Sequence, residues 1–174
     1  MNRRQRLTLI ITLASAALTG PALSVIASST GQQTASVTSV EREVREVLLQ
    51  QIAFSQENKR SMEGTISQDG SVEFWSSGGL RHHVPVDHVV EYDAINGFID
   101  GLEVVPLPGG EAAIATFYSE GAGQLKGGDH NAHYLVRATI VFVKESGDWK
   151  IRAAHYSPIA GGNGTFQRTI QTLP

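Results

Sequence analysis

Residues 132–157, AHYLVRATIVFVKESGDWKIRAAHYS, place two apolar-rich stretches on either side of Glu145-Ser146-Gly147-Asp148. Val, Ile, Thr, Phe, Tyr and Trp favour strands because branched and flat side chains pack well on a pleated surface. The glycine and polar residues between them suit a hairpin loop. The run therefore predicts one long antiparallel β-hairpin close to the C-terminus. A hairpin of this length can anchor a curved sheet, and a curved sheet can enclose a pocket.

With Ser146-Gly147 as a two-residue turn, Lys144 pairs with Trp149, Phe142 with Ile151, Ile140 with Ala153, and Ala138 with His155. Side chains alternate along a strand, so Trp149, Ile151, Ala153 and His155 share one face, expected to be the inner one. Lys150, Arg152, Ala154 and Tyr156 share the other face with Val143, Val141, Thr139 and Arg137. That face is partly apolar too, and a sheet apolar on both sides has both sides covered. A helix can cover one. A second copy of the chain covers the other, which predicts a homodimer through the sheet.

The first 27 residues differ in kind from the rest. Arg3, Arg4 and Arg6 precede an apolar run from Leu7 to Leu18, and small residues lead to a cleavage site after Ala27. This is the pattern of a secretory signal peptide, and it predicts a periplasmic or secreted protein with no membrane segment after cleavage. The apolar run is short for a membrane span, which needs about 20 residues; an uncleaved N-terminal anchor is the alternative. The chain has no cysteine, which excludes a disulfide framework, a lipoprotein-type anchor, thiol catalysis and thiolate metal sites. The mature chain of about 147 residues is long enough to be held by its core alone. The formal net charge of −3 is small, and no basic run follows the leader, so nucleic acid is not an expected partner.

Residues 28–38 are small and polar and read as a flexible leader. Ser39 is a candidate N-cap for a helix over residues 40–56, in which Val40, Val44, Val47, Leu48 and Ile52 fall on one stripe. Residues 57–70 read as a second short helix or a loop. Residues 71–76 form a short strand, 77–79 a turn, and 80–84 a second short strand. Residues 86–96, VDHVVEYDAIN, are helix-compatible, although rich in β-branched side chains. Strands over 97–107 and 111–121 follow, and the glycine-rich 121–131 reads as a loop before the final hairpin. Residues 159–174 form a tail without a sustained pattern. Helices first and antiparallel strands after give an α+β domain with helices on one face of the sheet.

The helix, the short strand ending in FWSS, the glycine turn and above all the ending TIVFVKESGDWKIRAAHYS resemble the nuclear transport factor 2-like superfamily, in particular its SnoaL-like group. The similarity covers residues 39–158. It implies a cone of curved antiparallel sheet wrapped by N-terminal helices, with a pocket at the open end. Members of that superfamily include polyketide cyclases, a steroid isomerase, dehydratases and proteins that only bind or assemble, so the fold alone does not fix a role.

His155, late on the expected inner strand, is the candidate catalytic residue, since a histidine can act as base or acid near neutral pH. Trp75, Tyr92, Tyr118, Tyr134 and Trp149 are candidate pocket residues, offering apolar walls and, in the tyrosines, phenol donors. Asp93, Asp100 and Glu120 are candidate pocket acids; none matches the isomerase constellation residue by residue. His82, His83 and His88 with Asp87, and the pair His130 and His133, lack a metal-ligand spacing such as HExxH, and neither a metal nor a cofactor is expected. Two functions remain: an exported domain that binds a small apolar or amphipathic molecule, and an acid–base enzyme using a pocket histidine with a Tyr or Asp partner. A purely structural assembly module is a third.

Overall fold

The computed structural model describes residues 24–76 and 80–159, with side chains from Ser39 onward. One helix, α1 (Ser24–Asn58), precedes six strands: β1 (Ser71–Phe74), β2 (His82–Val84), β3 (Tyr92–Pro106), β4 (Ala112–Leu125), β5 (His130–Glu145) and β6 (Asp148–Pro158). They form a single curved sheet in the order β2-β1-β6-β5-β4-β3. Every pairing is antiparallel except that of β1 with β6. The domain is α+β, as expected, but the sheet is mixed. Among the described residues, α1 alone stands where several wrapping helices were expected.

α1 lies on the concave side of the sheet. Val40, Val44 and Leu48 recur at every fourth position and are buried, with Val47 and Ile52 packed beside them. The sheet answers with alternating large and small residues. Ala113 stands opposite Phe142, Ala115 opposite Ile140, and Ala138 opposite Phe117. Each alanine makes room for the ring or branched chain across from it, so the inner face interdigitates with the helix stripe. Phe142 and Val44 are fully buried at the centre of this contact. Truncating a phenylalanine in such a place typically costs about 3–5 kcal/mol.

Several sequence expectations need correction. α1 begins at Ser24, so residues 28–38 are helical backbone rather than leader, and Ser39 is an interior residue rather than an N-cap. No proline lies between residues 24 and 58, and a nucleated helix gains one hydrogen bond for each residue it adds. The helix stops where Lys59 turns left-handed at φ 54° and its ammonium donates to the Gln56 carbonyl at 2.7 Å. Of the two alternatives for residues 57–70 the loop is the one formed after Asn58, and it bridges Arg60 to Glu91 and Ile66 to Ile151.

Residues 86–96 are not helical. A turn, with His88 N–H donating to the Pro85 carbonyl, leads into β3 from Tyr92 onward. The β-branched Val86, Val89, Val90 and Ile95 gave the weaker of two signals to the helical period, and pairing with β4 decides the outcome. The expected glycine-rich loop is mostly strand: β4 continues to Leu125 and β5 begins at His130.

The final hairpin has the expected turn. Ser146 and Gly147 adopt φ 53° and 93°, as a two-residue turn with two left-handed positions requires. Lys144 faces Trp149 and Phe142 faces Ile151. A bulge then breaks the register: Val141 faces Ala153, Ile140 faces Ala154, Thr139 faces His155 and Ala138 faces Tyr156. The extra residue lies where a second partner engages β6. Ile151 N–H donates to the Thr65 carbonyl and its own carbonyl accepts from Ser67 N–H, while the Arg152 guanidinium reaches the Gly70 carbonyl. One inserted residue exchanges the faces of everything after it. Ala154 and Tyr156 therefore point inward, and Ala153 and His155 outward.

The signal-peptide reading of residues 1–27 and the tail reading of 159–174 fall almost wholly outside the described residues.

Candidate ligand cavity

Between α1 and the concave sheet lies a cavity of about 330 Å³. Leu48 and Ile52 from the helix, and Phe117, Val136 and Ile140 from the strands, give it apolar walls. Polar side chains interrupt these walls, Ser61, Thr65 and His88 from the loops among them. From the helix come Gln51, Ser55 and Gln56; Gln56 donates to the Gly97 carbonyl at 2.6 Å and Ser55 to the Gln51 carbonyl at 2.9 Å. Thus part of the helical polar lining is tied down by backbone.

The sheet supplies Tyr92, Tyr134, Tyr156 and Ser119, and β1 supplies Glu73. Glu73 is only 9% exposed, and its Oε2 accepts from the indole N–H of Trp75 at 2.7 Å. Trp75 also lines the cavity and stacks on His82 with ring centroids 4.0 Å apart. Burial pushes the Tyr156 phenol far above its usual range, and the neighbouring Glu73 and Tyr92 push it further in the same direction. Tyr134 is raised as well, by burial, against a smaller lowering from its hydrogen bond with Ser119. Both phenols are thus held protonated, as donors.

Of the residues singled out from sequence, Trp75, Tyr92, Tyr134 and His88 line the cavity together. Tyr118 does not: it sits 52% exposed on the convex face, opposite Arg137. Trp149 is buried in the core, where its indole donates to Glu43 Oε2 at 2.9 Å, and it is not on the cavity wall. His155 is exposed on the convex face with its ring edge-on to Phe74, 5.8 Å between centroids. The bulge in β6 put it there, and the role of pocket acid or base cannot be its own.

The expected acids also lie elsewhere. Asp93 is exposed and accepts from Gly127 N–H, Asp100 is exposed, and Glu120 pairs with His133 at 2.8 Å. Among the described residues no three of His, Asp and Glu converge as a metal-ligating group.

Glu73 and Tyr156 were missed. In SVEF the apolar Val72 and Phe74 invite the inner face, yet Ser71 and Glu73 occupy it and Phe74 is 46% exposed. The available signal was Trp75: once it is assigned to the pocket, alternation carries Glu73 there too. Tyr156 was lost to the bulge, which leaves no mark in the residue types.

A helix laid in the concave side of a six-stranded sheet, with a cavity between them, is an arrangement that solved structures repeat. A nuclear transport factor 2-like protein of unknown function from Pseudomonas putida KT2440 superposes with a TM-score of 0.53, over 76% of this chain and 97% of its own, at 14% identity. The fold is that of the nuclear transport factor 2-like proteins. A candidate scytalone dehydratase from Novosphingobium aromaticivorans DSM 12444 gives a TM-score of 0.52 over 74% of this chain and 94% of its own, at 6% identity. A candidate calcium/calmodulin dependent protein kinase II association domain from Xanthomonas campestris gives 0.50, over 69% and 88%, at 17% identity. No protein-family model and no curated protein matches the chain. At these identities the nuclear transport factor 2-like likeness is one of fold.

Proposed function

We propose that the chain is an exported domain that binds a small apolar or amphipathic molecule in its cavity and acts as a homodimer. The cavity of about 330 Å³ carries this reading: its walls are mainly apolar, and Ser55, Gln56 and Glu73 among its polar groups are held by hydrogen bonds. That combination suits a small organic ligand, with apolar contact supplying affinity and the fixed polar groups orientation. Export, to the periplasm or out of the cell, rests on the pattern of Arg3, Arg4, Arg6 and the apolar run after them.

The homodimer rests on the convex face. Val105, Ile114, Val141, Ala153 and Val72 stand side by side in register across five strands. Phe74 and Tyr118, on the same face, are about half exposed. An apolar row of this length on a sheet suits a self-complementary contact about a two-fold axis.

A thermal-shift screen of steroids, polyketide-like acids and fatty acids tests the binding reading. A ligand raises the melting temperature in proportion to the logarithm of its concentration once above its dissociation constant. Ser55→Trp, which fills the cavity from the helix side, should abolish the shift. No shift from any class would overturn the reading and leave a structural assembly module.

The acid–base enzyme is a second reading, and Glu73 is the observation that favours it. A buried carboxylate facing the protonated phenol of Tyr156 could take a proton from a bound carbonyl compound. One solved neighbour in this fold is a candidate dehydratase. Turnover of a compound found in the screen, lost in Glu73→Gln while binding persists, would decide for the enzyme.

A further inference from the structure

We infer that the cavity takes an organic cation, an ammonium group carried on an apolar body, with Glu73 as its counter-ion. The inference rests on the cavity reading above and names the ligand's chemistry. Glu73 is 9% exposed and lies on the cavity wall, so its carboxylate is largely withdrawn from bulk water. A carboxylate in such a place is costly unless an opposite charge and hydrogen bonds answer it. Trp75 supplies one hydrogen bond, to Oε2 at 2.7 Å. No ion pair among the described residues includes Glu73; on the neighbouring strand β6 Arg152 and Lys150 are turned to the Gly70 and Gly64 carbonyls, and His82, opposite Glu73 on β2, is stacked on Trp75.

The surroundings favour a cation over a neutral hydroxyl compound. Trp75, Tyr92 and Tyr156 bring three aromatic rings to the part of the wall that holds Glu73. Ring faces attract ammonium groups, the more so away from water. Trp75 is also fixed at both ends of the contact, stacked on His82 and bonded to Glu73, so the carboxylate is pre-set in one orientation. The remaining wall, with Leu48, Ile52 and Phe117, accommodates the apolar body. An ammonium N–H placed against Glu73 would make a charge-assisted hydrogen bond that an alcohol of the same shape makes only in its weaker neutral form.

Three probes of one shape and different charge test this: 4-phenylbutylamine, 4-phenylbutanol and 4-phenylbutyrate, titrated into the full mature chain by calorimetry. The amine should bind at least about tenfold more tightly than the alcohol, and the carboxylate most weakly. Glu73→Gln should bring the amine down to about the affinity of the alcohol, and Glu73→Asp should keep the preference. If the Gln variant does not fold, the order of the three probes on the unaltered chain still decides. An amine that binds no more tightly than the alcohol overturns the inference and leaves the cavity reading standing. Failure of all three to bind overturns both.

Discussion

Gly97 and Gly121 stand directly opposite each other in the β3–β4 ladder, and the Tyr134 phenol from β5 lies over both. A methyl group on Gly121 would overlap the Asn96 carbonyl and approach Tyr134 Oη to 2.7 Å; one on Gly97 would collide with that same phenol oxygen. The bare backbone pair is what lets Tyr134 reach the cavity wall. Gly121→Ala should therefore destabilise the protein by about 1–3 kcal/mol, the usual range for forcing a methyl into filled space. Chemical denaturation measures it. A loss below about 0.5 kcal/mol would mean that Tyr134 is not seated on this pair.

Tyr134 and Tyr156 share a buried environment, and alkaline titration should reveal it. Tyr134 and Tyr156 are both raised above the ordinary value of 10.0, in each case mainly by burial. A phenol raised in the folded chain contributes stability that is whole below pH 10 and is lost as the pH rises through the folded value. Phenolate absorbance should thus show Tyr134 ionising only above the ordinary value of 10.0. Tyr156 should ionise only as the protein unfolds. Tyr156 ionising near pH 10 while the fold persists would contradict the burial described.

The same two tyrosines show what the sequence could and could not convey. Tyr134 was readable: strand alternation from the apolar Val136, Ala138 and Ile140 puts it on their face. Tyr156 was not, because the bulge that turns it inward arises from contacts of β6 with residues 65–70, far away in the chain. The turn at Ser146-Gly147 is local chemistry and was legible; the register ten residues later is tertiary and was not. Likewise the helix stripe of Val40, Val44 and Leu48 was plain, whereas residues 86–96 carried two competing periods. Glu73 lay hidden because its neighbours Val72 and Phe74 are the more apolar, yet the convex face takes them.

Glu43 joins α1 to the final hairpin. Its Oε2 accepts from Lys144 Nζ at 2.8 Å and from Trp149 Nε1 at 2.9 Å, across more than 100 residues of chain. Those two bonds, Lys144 first, hold its carboxyl below the usual value of 4.5. Glu145 is lowered in the same way by Ser67 Oγ and then Gln68 N–H, which tie the turn to the loop after α1. Carboxyls depressed by folding add stability that is present above about pH 4.5 and is lost as the pH falls through the lowered values. Denaturation midpoints should accordingly fall on acidification below pH 4.5, and less steeply in Glu43→Gln. Trp149→Phe keeps the ring but removes the donor, and should cost about 1 kcal/mol at neutral pH. An unchanged acid limb in Glu43→Gln would show that the helix–hairpin tie contributes nothing.

Val141 sits at the middle of the convex apolar row, between Ile114 on β4 and Ala153 on β6. In a two-fold dimer through this face, Val141→Lys places two unpaired charges in the contact, one from each copy. Burying a charge without a partner is unfavourable enough to weaken association at least about tenfold. Sedimentation of the mature chain should give the mass of two copies, and the Val141→Lys chain that of one at the same concentration. The cavity lies on the opposite side of the sheet, so ligand binding should survive the substitution if each copy holds a complete site. A single-copy mass for the unaltered chain would remove the dimer. Two copies retained by Val141→Lys would move the contact to another face.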